Sequence, residues 1–178
     1  MSTDVSSSCA RSQSRNPTIP AIACQRADMS LFVSEAEARL SRERSGLGVA
    51  RVTALRNGID LRSYDPGASF ERLALLAGPV VLFTGQMDYR PNVEAVTLFA
   101  QQAMPMIRAR VPEARFVIVG RAPTRAVRDL GRLPGVFVTG AVREVRSWIL
   151  AADVVVAPLR IARGIQNKVL EAMALARP

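Results

Sequence analysis

Histidine is absent from all 178 residues. That excludes Ser-His-Asp and Cys-His catalysis, and every zinc site that draws on an imidazole. Cysteine is scarce. Cys9 and Cys24 both precede residue 28, and two cysteines without an export signal do not make a disulfide framework. No apolar run approaches the roughly 20 residues that span a bilayer, and no apolar block of signal-peptide type opens the chain. The chain is therefore expected in the cytoplasm. Long basic runs are missing too. Net charge is +9, from 24 Lys and Arg against 15 Asp and Glu. The basic residues are almost all Arg, scattered, and not interleaved with aromatics, which make up 5% of the chain. An Arg-rich surface is expected, and no nucleic-acid partner.

What is present is an apolar content of 49%, enough for one domain with a core and part of a second. Residues 1–27 are rich in Ser, Arg and Pro without periodicity and read as a disordered leader. Residues 28–67 become regular. A short apolar run ends at Val33, Ser34 and Glu37 fit a capping box for a helix over 35–44, and 49–55 reads as a strand. Asn57-Gly58-Ile59-Asp60 predicts a turn with positive φ, and Tyr64-Asp65-Pro66-Gly67 a second turn in a linker.

From residue 68 to 178 one unit repeats. Apolar runs at 79–84 (PVVLFT), 115–119 (RFVIV) and 136–139 (VFVT) each close on a glycine: Gly85, Gly120 and Gly140. A fourth run, 153–157 (DVVVA), closes on Pro158. Runs apolar on both faces are strands buried in a parallel sheet. Helical spacing separates them, with Pro91 in a first turn, an apolar stripe of Val93, Val96, Ala100, Ala103 and Ile107, and a kink or division of the helix expected at Pro105. Shorter helices fit 124–130, 143–150 and 165–176. Met104, Met106, Phe99 and Phe116 read as core, and Trp148 as a helix face packed on the sheet. The pattern is α/β: a Rossmann-like parallel sheet flanked by helices. Ligands of such sheets bind outside the carboxyl ends of the strands, so the loops after 84, 119, 139 and 157 share one rim.

The best-defined part of that rim is 163–174, RGIQNKVLEAMA. Gly164 sits where a loop becomes a helix, and free backbone N–H groups with the helix dipole make an anion site there. Lys168 adds a charge one turn in. Glu171, three residues on, can accept two hydrogen bonds from a ribose diol. Phosphate at the helix start and ribose deeper in make a nucleotide half-site. The plainer alternative is a surface ion pair between Lys168 and Glu171.

The stretch GIQNKVLEAMALARP at 164–178 resembles the donor-site helix of glycosyltransferase family 4, whose fold is GT-B and whose chemistry is retaining. Supporting stretches, in family order, are SLFVSEAEA at 30–38, NGIDLRSYDP at 57–66, LFTGQMDYRPNVEAV at 82–96, FVIVGRAP at 116–123 and VAPLRIARGIQNKVLEAMA at 156–174. The subgroup it is most similar to is the sugar transferases of PEP-CTERM and exosortase exopolysaccharide systems.

The resemblance implies roles for particular residues. Glu171 matches the second carboxylate of the family's E-x7-E motif, which holds the donor ribose; the first falls on Arg163 here. Gly164, Ile165, Gln166 and Asn167 would offer backbone donors to a diphosphate, Lys168 would pair with it, and Arg160 and Arg163 would stand beside it. Gly85 and Arg90 follow the first strand, where members place a glycine and a basic phosphate contact; Gln86 stands where many members have Arg. Gly120, Arg121 and the loop 140–142 would border the nucleobase. The implied partners are a nucleoside diphosphate sugar donor and a glycan or lipid-linked acceptor held by an N-terminal domain. Peripheral membrane association of the intact enzyme is implied as well. No metal or other cofactor is implied.

On this reading 28–67 is a remnant of the acceptor domain with its linker. Residues 68–178 are then a donor domain short of its last strand and helices, inactive in sugar transfer by itself. Two alternatives remain open from the residues: a non-catalytic nucleotide-binding module, and part of a GT-B UDP-sugar epimerase.

Overall fold

The computed structural model describes residues 19–71, 73, 78–160 and 166–178. Two compact units divide between Leu55 and Arg56.

In the first unit, helix α1 (Ile19–Arg26) occupies part of the stretch expected to be irregular. Pro20 stands in its first turn, where a missing N–H is harmless, and Arg26 in its last turn suits the helix dipole. Strand β1 (Ser30–Phe32), helix α2 (Glu35–Ser45) and strand β2 (Val52–Ala54) then form a parallel β-α-β unit, Leu31 opposite Thr53. Ser34 caps α2 by accepting from the Glu37 N–H at 3.3 Å. The expected box closes differently: the Glu37 carboxylate accepts from the Ser34 hydroxyl at 3.0 Å, in place of the backbone N–H a capping box would engage. Cys24, Ala38 and Val52 are buried in this unit.

The second unit opens with a turn organised by Asp60, not by Asn57-Gly58. The Asp60 carboxylate accepts from the Arg62 N–H and the Ser63 hydroxyl, and its carbonyl accepts from the Tyr64 N–H. A carboxylate two residues ahead of free N–H groups closes a turn without any positive φ. Asp65 does the same for Gly67.

A four-stranded parallel sheet follows, in the order β5-β4-β3-β6. Its strands are β3 (Val80–Thr84), β4 (Arg115–Val119), β5 (Val136–Gly140) and β6 (Val154–Val155). Leu82 pairs with Val117 on one side and with Val155 on the other. Strand periodicity sorts the side chains into two layers. Phe83, Phe116 and Ile118 pack against helices α3 (Arg90–Leu98), α4 (Met104–Arg110) and α5 (Arg125–Leu130). Val80, Leu82, Val117 and Val119 pack against α6 (Val145–Ala151) and α7 (Asn167–Ala174), with Trp148 in the same layer.

Two local expectations change, and a third is met in an unexpected form. Pro105 divides its helix into two α-helical segments without ending it. A π-helical turn, Phe99–Ala103, precedes it, and the Met104 N–H reaches back to the Phe99 carbonyl. Widening the helix makes room for the ring and absorbs its missing donor. Met106 is 73% exposed while Met104 is buried, because two residues along a helix lie on opposite faces. Strand β6 is shorter than 153–157, and Val154 is exposed, since β6 pairs within the described sheet only with β3. Its start is fixed by Asp153, whose carboxylate accepts the Val80 N–H at 2.7 Å. Among the described residues no helix is long and apolar enough to cross a membrane.

Candidate functional site

The strand order places β6 and β4 on opposite sides of β3, so the chain leaves the carboxyl ends of β3 and β6 toward opposite faces. A crevice opens where such directions diverge. There the second unit holds a cleft of about 600 Å³. The ends of β3 and β4 contribute Thr84, Gly85, Val119, Gly120 and Arg121; the loop after β5 contributes Ala141 and Val142. Gln166, Asn167, Lys168 and Glu171 line it from α7, and Asn57 from the start of the unit.

Seven residues singled out in the sequence therefore meet at one cleft: Gly85, Gly120, Arg121, Gln166, Asn167, Lys168 and Glu171. Arg90 does not join them. It stands 87% exposed on the first turn of α3 and pairs with Glu94, its i+4 neighbour, at 2.7 Å. Arg160 is exposed and also away from the cleft lining. Arg163, Gly164 and Ile165 lie outside the described residues. The described helix starts at Asn167, later than 165, with Gln166 as its N-cap in extended backbone.

Glycine is required at the two strand ends by close approach. A side chain on Gly120 would collide with the backbone of Gly85. One on Gly85 would reach within 2.8 Å of the Asn92 amide and 3.6 Å of the Lys168 ammonium. Hydrogen bonds stitch the same loops: Gly85 N–H to the Val119 carbonyl, Gly120 N–H to the Gly140 carbonyl, Met87 N–H to the Arg121 carbonyl. The Arg121 guanidinium donates to the Gln86 side chain at 2.9 Å.

Lys168 does not form the surface pair with Glu171 that the plainer alternative predicts. The residue is 7% exposed. Its ammonium donates to the Asn92 side-chain carbonyl at 3.2 Å and lies 4.4 Å from the centroid of the Phe83 ring. Burial pulls its pKa below the ordinary lysine value, and the Glu171 charge opposes that shift. A partly desolvated cation on the floor of an open cleft is held ready for an anion.

Glu171 is half-buried one turn further along α7, on the side where Tyr64 approaches. Burial raises the Tyr64 pKa, and the nearby Glu171 charge raises it further. Asn57 donates to the Asn167 side chain at 3.2 Å, bracing the first residue of α7.

Three participants escaped the sequence reading: Asn57, Tyr64 and Asn92. Asn92 left a signal of burial and none of its partners. It is a polar residue four positions before Val96, on the face that α3 buries, and it is itself 6% exposed.

A family model described as Glycosyl transferases group 1 matches residues 78–178. A relative, the phosphatidyl-myo-inositol mannosyltransferase of Propionibacterium freudenreichii subsp. shermanii, is 27% identical over 154 residues, covering 86% of this chain. The chain spans 38% of that relative's length. Among solved structures, Anabaena HepE in complex with UDP and glucose is similar with a TM-score of 0.61 at 15% identity, over 88% of this chain and 45% of that one. A glycosyltransferase from Rickettsia africae is similar with a TM-score of 0.67 at 12% identity, over 84% and 43%. At these identities the structural likeness speaks for the fold.

Proposed function

This chain belongs to the glycosyl transferases group 1 family, of GT-B type, and from that premise we propose that it binds the nucleoside diphosphate sugar donor of a retaining glycosyl transfer. The observation that carries the reading is the convergence at one cleft of a buried cation, Lys168, the start of α7, and the Glu171 carboxylate one turn deeper. The diphosphate lies over Lys168 and the first N–H groups of α7, where positive charge and free donors coincide. The ribose hydroxyls meet Glu171, and the base faces the side built by Gly120, Arg121 and the loop 140–142. UDP in the related HepE structure supports a uridine donor as the first to test.

In the intact enzyme the group transferred is a hexose, and the acceptor a glycan or lipid-linked precursor of an exopolysaccharide. This chain's share of the work is electrostatic: Lys168 and the helix N-terminus neutralise the charge that grows on the departing diphosphate. The reading carries no metal.

Thermal unfolding in the presence of UDP or GDP tests it directly, with and without EDTA. A shift in melting temperature at millimolar nucleotide, unchanged by EDTA, is the expected result. Failure of both nucleotides to bind overturns the reading.

A further inference from the structure

The whole sequence contains a single lysine, Lys168, among 23 arginines. A buried position of the cleft is thus given to the one side chain in the sequence with a compact ammonium, which shifts its proton affinity when desolvated where a guanidinium does not. The structure also places one side chain against it that no motif identifies.

Asn92 lies in the first turn of α3, 6% exposed, with both ends of its amide engaged. Its carbonyl oxygen accepts from the Lys168 ammonium at 3.2 Å. Its NH2 group donates to the Gln86 backbone carbonyl at 2.9 Å. One amide therefore joins three elements: the loop after β3, the start of α3 and the first turn of α7. The space is closed from below by the Phe83 ring, 4.4 Å from the ammonium, and from the side by Gly85, where any Cβ would press within 2.8 Å of the amide nitrogen. The hydrogen bond to Gln86 settles the orientation of the amide, because a flipped Asn92 would set its NH2 against the ammonium.

We propose that Asn92 is a positioning residue for donor binding: it fastens the Lys168 ammonium at the phosphate end of the cleft and ties it to the β3 loop. The inference rests on the nucleotide-binding reading above. Two of the ammonium's three protons remain for the ring face and for a ligand. An aliphatic residue at 92 would leave the ammonium desolvated with no acceptor, and the charge would be shed at lower pH. Among the described residues, the charged groups near this ammonium are Glu171 on α7, which supports its proton, and Arg121 after β4, which shares the cleft.

The lone lysine makes the test clean. Protein grown on lysine carrying 13C at Cε gives one lysine resonance, assigned without further work, whose shift with pH reports the ammonium's titration midpoint. Wild type, N92A and N92D are compared, and each is titrated with UDP at pH 7 and at higher pH. N92A is expected to lower the midpoint by roughly one pH unit and UDP affinity by about tenfold, the loss growing as pH rises. N92D keeps the shape of the side chain and puts a charge beside the ammonium, so it raises the midpoint while weakening UDP. A midpoint that stays in place in a folded variant overturns the proposal. Should N92A fail to fold, N92D alone decides. If wild type binds neither UDP nor GDP, the nucleotide reading falls, and the lysine titration still decides whether Asn92 governs Lys168.

Discussion

A Cβ placed on Gly120 would lie 1.6 Å from the carbonyl oxygen of Gly85. These two glycines end adjacent strands, and their backbones touch because neither carries a side chain. The contact sets the distance between the β3 and β4 loops, and so the width of the cleft floor. Backbone in a paired sheet cannot yield as a flexible side chain can. G120A is therefore expected to destabilise the fold by about 3 kcal/mol, the upper end for overpacking. G131A serves as the control. Gly131 has helical dihedrals, and its nearest contact would be 3.3 Å, so a change within about 1 kcal/mol is expected. Urea unfolding of both variants decides it, and equal effects would show that the Gly85–Gly120 contact does not constrain the sheet.

Lys168 sets function against stability. K168M removes a buried ammonium and leaves an aliphatic chain of similar length beside Phe83. Nucleotide affinity should disappear while the fold becomes neutral to about 2 kcal/mol more stable. The pH dependence has a definite sign. Burial makes the folded chain release the Lys168 proton at lower pH than the unfolded chain does. Between the folded midpoint and the ordinary lysine value the unfolded chain binds more protons, so wild-type stability rises with pH in that window. K168M should lack that rise. Parallel urea titrations from pH 7 to about pH 10 measure it, and identical pH profiles would contradict a desolvated lysine.

The strand layout was legible in advance because burial on both faces leaves an unmistakable apolar run, and each run closes on a residue that turns the chain. Gly85 and Gly120 followed from that layout, since topology brings strand ends together whatever the side chains do; Lys168 and Glu171 followed from the helix-start pattern, and Arg121, Gln166 and Asn167 from the resemblance. Arg90 did not follow. Its guanidinium is long enough to be claimed by Glu94 one turn along, and spacing cannot say which partner wins. Asn92 escaped for the opposite reason. Its importance lies in two contacts from distant segments, Gln86 and Lys168, which only a folded chain supplies. The π-helical turn before Pro105 was hidden because it costs the sequence nothing local: FAQQA reads as ordinary helix. Asn57-Gly58 misled because a strong turn propensity was overruled by the Asp60 carboxylate three residues away.

Glu171 is expected to discriminate between ligands. It sits one turn beyond Lys168, a position that the proposed reading gives to the ribose and not to the phosphates. E171A should weaken UDP or GDP by roughly tenfold to a hundredfold, the worth of hydrogen bonds to a charged acceptor. Pyrophosphate should change by no more than about twofold, as for an interaction made elsewhere. The comparison belongs at pH 7, because removing the Glu171 charge also withdraws support for the Lys168 proton. Calorimetry with both ligands measures the difference. Equal losses would place Glu171 at the phosphates and refute a ribose contact.

Arg146 carries the last prediction, because it links the edge of the site to α6. Its guanidinium donates to the Ser63 carbonyl at 2.6 Å, and it lies 4.8 Å from the Phe70 ring centroid and 5.9 Å from that of Tyr64. Its Nε donates to Glu144 at 2.7 Å, and Glu144 in turn accepts the Arg146 N–H at the start of α6. The hydrogen bonds from Arg146 hold the Glu144 pKa below the ordinary carboxylate range. A carboxylate so lowered contributes stability above that range, and the contribution is lost as pH falls through the folded value. R146A should therefore lower the urea midpoint at pH 7, with a deficit that shrinks at acid pH, as pH falls through the folded Glu144 value. R146K keeps the charge and loses the planar stack, so it should recover only part of the deficit. Tyr64 meets Glu171, and freeing the segment that carries it should also weaken nucleotide binding a few-fold. A variant equally stable at both pH values, with unchanged affinity, would mean that the contacts of Arg146 leave the site unaffected.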